Sequence, residues 1–316
     1  MSEFDLIRRY FTHATPNALL GVGDDAALLR INNGMELVVS TDMLVSGTHF
    51  FSDADPFLLG HKTLAVNLSD IAAMGAQPRW ATLAISLPDV NEDWLEKFSA
   101  GFFSIARQYG VELVGGDTTR GPLNLSVTIM GEVPQGAALK RSGAQVGDDV
   151  WVSGKLGDAA LALAHLQGKV NLSPDDLALC VLSLHQPVPR VRLGQALLGT
   201  ANSAIDISDG LLADVGHILQ CSGVGADIQF DALPVSAAQH ALPPSLMQHC
   251  VLSGGDDYEL CFTAAATQRG VVENISQHLN LPLTRIGVIV LKSGCTVRTA
   301  QGNVINIKES GYDHFR

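Results

Sequence analysis

Two helix-forming segments with chemically marked ends, each set between strand-forming runs, constrain the first half of this chain more than any other feature. The first is "DPFLLGHKTLAVNLSDIAAMG", where Asp55 takes the cap, Pro56 the first helical position and Gly75 the stop. The second is "NEDWLEKFSAGFFSIARQYG", an amphipathic helix capped by Asn91 and ended by Gly110. Around them stand the strand runs "MELVVST" (35–41), with Asp42 just past its end, "ATLAISLP", "VELVGGD" and "LNLSVTIMGEV". The stretch "PQGAALKRSGAQVGD", Pro134 to Asp148, is rich in small and turn-forming residues, and the domain boundary is placed there, giving domains 1–138 and 139–316. The second half opens with the strand "DVWVSG" and runs through helices near 157–167, 175–184 and 190–199. "SAIDISDG" then reads as strand into turn, followed by a helix to about Cys221. "DYELCFTA", "TRIGVIV", "CTVRT" and "NVINI" supply further strands around a helix near 267–279. Mixing of both element types in both halves predicts an α/β or α+β fold with mixed sheets.

At 316 residues the chain is long enough for two cores. A formal charge of −12 argues against a nucleic-acid backbone as partner, since that needs basic clusters. No apolar run reaches the length of a membrane span, and "MSEFDLIRRYF" lacks the apolar core of a secretory signal, so the expected location is the cytoplasm. The five cysteines are scattered, never spaced as CxxC, and read as reduced thiols.

The informative residues are carboxylates. Asp25, Asp42, Asp117, Asp206 and Asp209 fall at the ends of apolar strands or in the loops after them, the edge at which α/β sheets bind ligands. Turn and cap chemistry is the simpler account of several, and for Asp209, ahead of "GLLADVGHIL", capping alone suffices. Asp70 resists it. It lies near the C-terminal end of its helix, where the macrodipole disfavours a carboxylate by about 0.3–1 kcal/mol. Asn67 shares its face, and the reading finds no Arg or Lys there to pair with it. A bound metal is the economical partner. With Ser40, Thr41 and Ser208 beside the aspartates, the donors are all oxygens, which favours Mg²⁺ or Mn²⁺ over zinc and points onward to phosphate. There is no Walker A loop. "GGDTTRG" (115–121) reads as a loop whose glycines bring N–H groups close to a phosphate, and Arg141 is of the type that reaches a nucleotide phosphate. The tetrapeptide "VGDD" occurs twice: in "GVGDDAALL", Asp24 shapes a turn and Asp25 is a candidate ligand, whereas before "VWVSG" Asp148 and Asp149 read as structural. Echoes between the halves, "LSDIAAMG" with "ISDGLLADVG" and "GGDTT" with "GGDDYE", fit either two related half-folds or similar turn chemistry.

In order along the chain, "GVGDDAALL", "VVSTDMLVSGTHF", "AVNLSDIAAMGA", "LVGGDTTRGP", "RSGA", "SAIDISDGL", "LSGGDDYELCF" and "GYDHF" resemble the motifs of bacterial thiamine-monophosphate kinases, from about residue 4 to the C-terminus. The resemblance implies the PurM-like fold of the aminoimidazole ribonucleotide synthetase-like superfamily, with an α+β C-terminal domain, ATP between domains, and a homodimer paired through the N-terminal sheets. It implies transfer of the γ-phosphoryl of ATP to thiamine monophosphate. Carried over by motif, Asp25, Ser40, Thr41, Asp42, Asp70, Asp117, Asp206 and Asp209 are the implied magnesium ligands; Gly116, Asp117, Arg141 and Ser208 the ATP contacts; His49, Asp256 and Tyr312 the substrate contacts. Asp256 stands where the family motif has Glu, one methylene longer. Because a phosphate acceptor is ionised near neutral pH, no general base is expected. The rival readings are another ATP-dependent member of the superfamily, such as selenophosphate synthetase, and a non-catalytic Mg-nucleotide sensor. The first needs a reactive Cys near the N-terminus, whereas the first cysteine here is Cys180.

Overall fold

The computed structural model describes residues 2–307, 311–312 and 314–315. The chain forms two compact units, Met1–Ile71 with Ala76–Gly136 and Ala72–Gly75 with Ala137–Arg316.

The first unit begins with a helical turn, α1 (Glu3–Leu6), closed by a capping box between Ser2 and Asp5, and a π-helical turn at Ile7–Phe11. There follow β1 (Met35–Val45), α2 (Pro56–Ala73), β2 (Gln77–Leu87), α3 (Glu92–Tyr109), β3 (Glu112–Arg120) and β4 (Asn124–Pro134). The expected caps are in place: Asp55 Oδ1 accepts from the N–H groups of Phe57 and Leu58, and Asn91 Oδ1 from that of Trp94. Gly110 ends α3 in the left-handed region at φ 68°. The strands pair in the order β1-β4-β2-β3, with β2 and β3 parallel and the other pairs antiparallel. Strand alternation divides the sheet into two faces. Leu44, Leu125, Val127, Ile129, Leu83 and Ile85 are buried on one, while Leu37, Val39 and Met43 of the edge strand β1 stand 42%, 54% and 53% exposed on the other.

The second unit contains β5 (Asp149–Ser153), α4 (Asp158–Leu166), α5 (Pro174–His185), α6 (Val191–Ala196), β6 (Ser203–Asp206), α7 (Leu211–Ser222), β7 (Gly225–Gln229), α8 (Ala237–His240), α9 (Pro244–Ser253), β8 (Leu260–Ala264), α10 (Arg269–Leu279), β9 (Leu283–Val290) and β10 (Gly294–Arg298). Its six-stranded sheet has the order β10-β7-β9-β5-β8-β6, parallel only between β10 and β7. One core packs α7 and α9 on this sheet through Ile205, Leu211, Val215, Ile218, Val251 and Ile286. A smaller one joins α4 and α5 through Leu161, Ala162, Cys180 and Leu184.

The fold departs from the sequence reading at several places. Asp42 lies inside β1, which runs on to Val45 because its register with β4 is unbroken. "GGDTTR" is strand, not loop: β3 continues through it against β2, with a register shift opposite Gly115. Among the described residues "NVINI" makes only the isolated antiparallel bridge Arg298–Val304 to the end of β10, with the Ile305 N–H donating to the Val297 carbonyl. β8 starts at Leu260, leaving the preceding "GGDDYE" as an irregular loop. The elements β7, α8 and α9 were not expected. Among the described residues, no helix is long and apolar enough to cross a membrane.

Candidate active site

In the first unit the junction of β1 and α2 gathers the candidate ligands. Residues two apart on a strand share a face, as do residues three apart on a helix, so Ser40 and Asp42 of β1 meet Asn67 and Asp70 of α2. The Ser40 hydroxyl donates to Asp70 Oδ2 at 2.5 Å, and the Asp42 N–H donates to Asn67 Oδ1 at 3.1 Å. Asn67 is 1% exposed and is held by its own Nδ2 donating to the Thr63 carbonyl. Sequence reasoning overlooked Lys62, a buried cation of the same helix (3% exposed). Thr41 projects to the opposite face, where its hydroxyl is 2.8 Å from that of Thr128. That hydroxyl is therefore not among the oxygens beside Ser40 and Asp42, contrary to a side-chain ligand role.

Asp25 is exposed, in a hairpin-like loop closed by paired backbone bonds between Leu20 and Leu28. Asp24 Oδ1 accepts the Asp25 N–H at 2.9 Å, the turn-shaping role expected of it. His49 accepts the Val45 N–H on Nδ1 at 2.9 Å. A backbone N–H can only donate, so the Nδ1 lone pair is engaged and the proton of the neutral ring is on Nε2. Asp117 is exposed on the edge strand β3. Gly116 before it has φ 153°, and a Cβ there would lie 1.9 Å from the Leu83 carbonyl oxygen, so the strand pair closes only over glycine.

The second unit brings three sequence-distant segments together. β6 ends at Asp206, and the loop after it carries Ser208 and Asp209. It is organised by Asp214 of α7, whose Oδ2 accepts from the N–H groups of Ser208, Asp209 and Gly210 at 3.1, 3.2 and 3.1 Å. Burial, reinforced by the charge of Asp209, pushes the Asp214 carboxyl up to about 7, against the pull of these donors. The Ser208 carbonyl accepts the Asp256 N–H, and a Cβ on Gly255 would be 2.3 Å from that same oxygen. The Asp209 carbonyl accepts the Tyr312 N–H at 3.0 Å, which draws the C-terminal segment onto the loop. Tyr312 is 52% exposed, with its ring edge-on to His314. Arg141 is exposed in the turn whose Gly143 and Ala144 N–H groups donate to Ser222 Oγ, and the neighbouring Lys140 carbonyl accepts from Ala204 of β6. Asp214 was not singled out in the sequence. Its signal is a carboxylate in the first turn of the helix that follows "SDG", where reaching back to free N–H groups is the expected use.

The second "VGDD" is structural, as read. Asp148 Oδ2 accepts from the Gln145 N–H and from Asn202 Nδ2. Asp149, 1% exposed at its side chain, takes both Arg269 and Arg285, whose hydrogen bonds and charges hold its carboxyl below the usual range despite burial. The cysteine thiols are free, and burial pushes Cys180 up to about 12 and Cys250 to about 11, which removes them as nucleophiles.

Among the described residues, no three His, Cys, Asp or Glu side chains stand close enough to chelate one metal by themselves. The donor chemistry at β1 and α2 still suits a hard cation: two carboxylates, a hydroxyl and an amide oxygen, with no soft donor among them.

Residues 23–133 match the model of the AIR synthase related protein N-terminal domain family. A thiamine-monophosphate kinase of Escherichia coli O157:H7 is 47% identical over 99% of this chain and 98% of its own. The chain belongs to the thiamine-monophosphate kinase family. The solved thiamine-monophosphate kinase of Stenotrophomonas maltophilia K279a matches with a TM-score of 0.85 at 53% identity, over 89% of this chain and 91% of that one. A structure of AaThiL complexed with AMPPCP and TMP matches with a TM-score of 0.79 at 30% identity, over 90% of this chain and 89% of that one. The family and the two mixed sheets establish the PurM-like fold expected from the motifs.

Proposed function

We propose that this protein transfers the γ-phosphoryl group of ATP directly to thiamine monophosphate, releasing ADP and completing thiamine diphosphate. The observation that carries this reading is the likeness, over 90% of the chain, to a family member holding AMPPCP and TMP together. An oxygen of the acceptor phosphate forms the new bond to the γ-phosphorus as the bond from that phosphorus to the β-bridging oxygen breaks, and the electron pair leaves on ADP. The acceptor oxygen is already ionised, its second pKa being about 6, so no side chain need remove a proton. The protein's task is to bring two polyanions together.

Magnesium, when bound, would offset the phosphate charges and orient them for in-line displacement. Asp25, Ser40, Asp42, Asp70 and Asp117 of the first unit, with Asp206 and Asp209 of the second, are the residues that would hold it. Thr41 would contribute through its main-chain oxygen alone. The Ser40 donation fixes the Asp70 carboxylate, and the Asn67 side chain fixes the Asp42 main chain, before any cation arrives. Gly116, Asp117, Arg141 and Ser208 bind ATP in this reading, and His49, Asp256 and Tyr312 hold thiamine monophosphate. Nε2–H of His49 is a hydrogen-bond donor suited to a phosphate oxygen. The first unit also mediates a homodimer, a role that the exposed Leu37, Val39 and Met43 on the uncovered sheet face support.

Incubation with Mg-ATP and either thiamine monophosphate or thiamine, followed by mass spectrometry, tests the acceptor. Thiamine diphosphate is expected from the monophosphate alone. Absence of product from both, with Mg-ATP still bound, would favour the nucleotide-sensor alternative.

A further inference from the structure

The loop between α9 and β8 holds two non-glycine residues in left-handed backbone conformations, Asp256 at φ 68° and Tyr258 at φ 49°. Aspartate tolerates this region, but a bulky tyrosine there is strained. Such strain persists only where the surroundings over-determine the backbone. Two main-chain bonds contribute: the Asp256 N–H to the Ser208 carbonyl and the Tyr258 N–H to the Ile207 carbonyl, both 2.8 Å. The Tyr258 hydroxyl closes the loop on itself, donating to Asp256 Oδ1 at 3.0 Å.

Between these two residues, Asp257 turns in the opposite direction. Its Oδ1 accepts the N–H of Gly157 at 2.8 Å, at the N-terminus of the nine-residue helix α4. Its Oδ2 is buried and has no hydrogen-bond partner among the described residues. Among the described residues neither a chelating cluster nor an ion pair accounts for a carboxyl in that position, and nothing in the proposed reaction uses it.

We propose that Asp257 is a positioning residue: by anchoring the strained loop to the start of α4, it sets the pose of the Asp256 carboxyl and hence the affinity for thiamine monophosphate. The proposal rests on the reading of Asp256 as a substrate contact. It also accounts for how an aspartate serves where the family motif has a longer glutamate: the shorter side chain is usable only if its backbone is held in one place. Burial, with the nearby charges of Glu259, Asp158 and Asp256, pushes the Asp257 carboxyl well above the ordinary range, against the Gly157 N–H. The neutral acid has the shape and hydrogen-bonding groups of asparagine. An Asp257→Asn variant therefore keeps the acceptor for Gly157 and an N–H donor where the acid has O–H.

The test pairs kinetics with amide hydrogen exchange on the full-length protein. Asp257→Ala is expected to raise KM for thiamine monophosphate about tenfold, the worth of one lost anchoring hydrogen bond, while KM for ATP stays within about twofold. Exchange at the Asp256 and Tyr258 amides should accelerate in the same variant. Asp257→Asn should restore both readouts to near the parent values. If Asp257→Ala does not fold, Asp257→Glu keeps the acid but lengthens the anchor, and carries the same expectation. Unchanged exchange and unchanged KM in the Ala or Glu variant would overturn the proposal. So would an Asn variant as impaired as Ala, or an equal loss for both substrates. A parent protein that makes no thiamine diphosphate would instead defeat the functional reading, and the exchange data would still decide whether Asp257 anchors the loop.

Discussion

At the residue scale, the Ser40–Asp70 and Asp42–Asn67 contacts are the most consequential. Each joins a strand residue to a helix residue, so the carboxylates are placed by secondary structure and not by a mobile loop. Asp70→Asn or Asp42→Asn is expected to lower kcat by at least about 10²–10³-fold, as for removal of a preorganised electrostatic group, with circular dichroism and melting little changed. A variant with near-parent turnover would remove that carboxylate from the site. Thr41→Val makes the contrasting case. Its hydroxyl bonds Thr128 on the other face, so the substitution should cost about 1 kcal/mol of stability in urea titrations and leave turnover within about twofold. The sequence singled out Asp70 because a carboxylate near a helix C-terminus among apolar neighbours is chemically odd, and Asp42 because it follows an apolar strand run. It did not separate Thr41 from Ser40, since "STD" shows a hydroxyl at both positions and only strand alternation assigns them to opposite faces. Asp214 and Asp257 escaped for a related reason. Each looks like an ordinary acid beside a turn until its backbone N–H donors are seen.

At the element scale, legibility followed local chemistry. Helices α2 and α3 were readable because Asp55, Asn91, Gly75 and Gly110 mark both ends. Strand β7 was not, since "GADIQ" contains a glycine and an aspartate and is defined by pairing with β9 and β10. Continuation of β3 through "GGDTTR" likewise depends on β2 lying alongside it. Gly116→Ala should therefore separate the β2–β3 pair, at a cost of about 2–3 kcal/mol measured by chemical denaturation. Asp149 links β5 to α10 and β9 through two arginines. Its folded-state carboxyl lies below its unfolded value, so its stabilisation is complete above the unfolded pKa near 4 and is lost as pH falls through the folded one. Asp149→Asn should be destabilised by about 3 kcal/mol at pH 7, and the gap from the parent should close in acid denaturation below about pH 4.

At the scale of the whole molecule, the chain divides its candidate ligands between two units, each with its own mixed sheet and core. The first contributes carboxylates set on a strand and a helix. The second contributes a loop, cinched by Asp214, onto which the Asp256 loop and the Tyr312 segment are drawn. Fold class and family were open to reading because motifs recur in order along nearly the full length. Distances and faces were not, because they arise from pairing between segments far apart in sequence. Sedimentation of the parent should give a dimer, and a charge at Val39 (Val39→Asp) on the uncovered face should shift it to monomer without unfolding. A parent that sediments as a monomer would leave that face unexplained. Direct phosphoryl transfer to thiamine monophosphate fixes where the γ-phosphoryl must end. The decisive measurement uses γ-¹⁸O-labelled ATP and reads the label by mass spectrometry. The labelled phosphoryl is expected in the terminal phosphate of thiamine diphosphate, formed one for one with unlabelled ADP. Label appearing only in inorganic phosphate, or thiamine diphosphate formed without it, would rule out direct transfer.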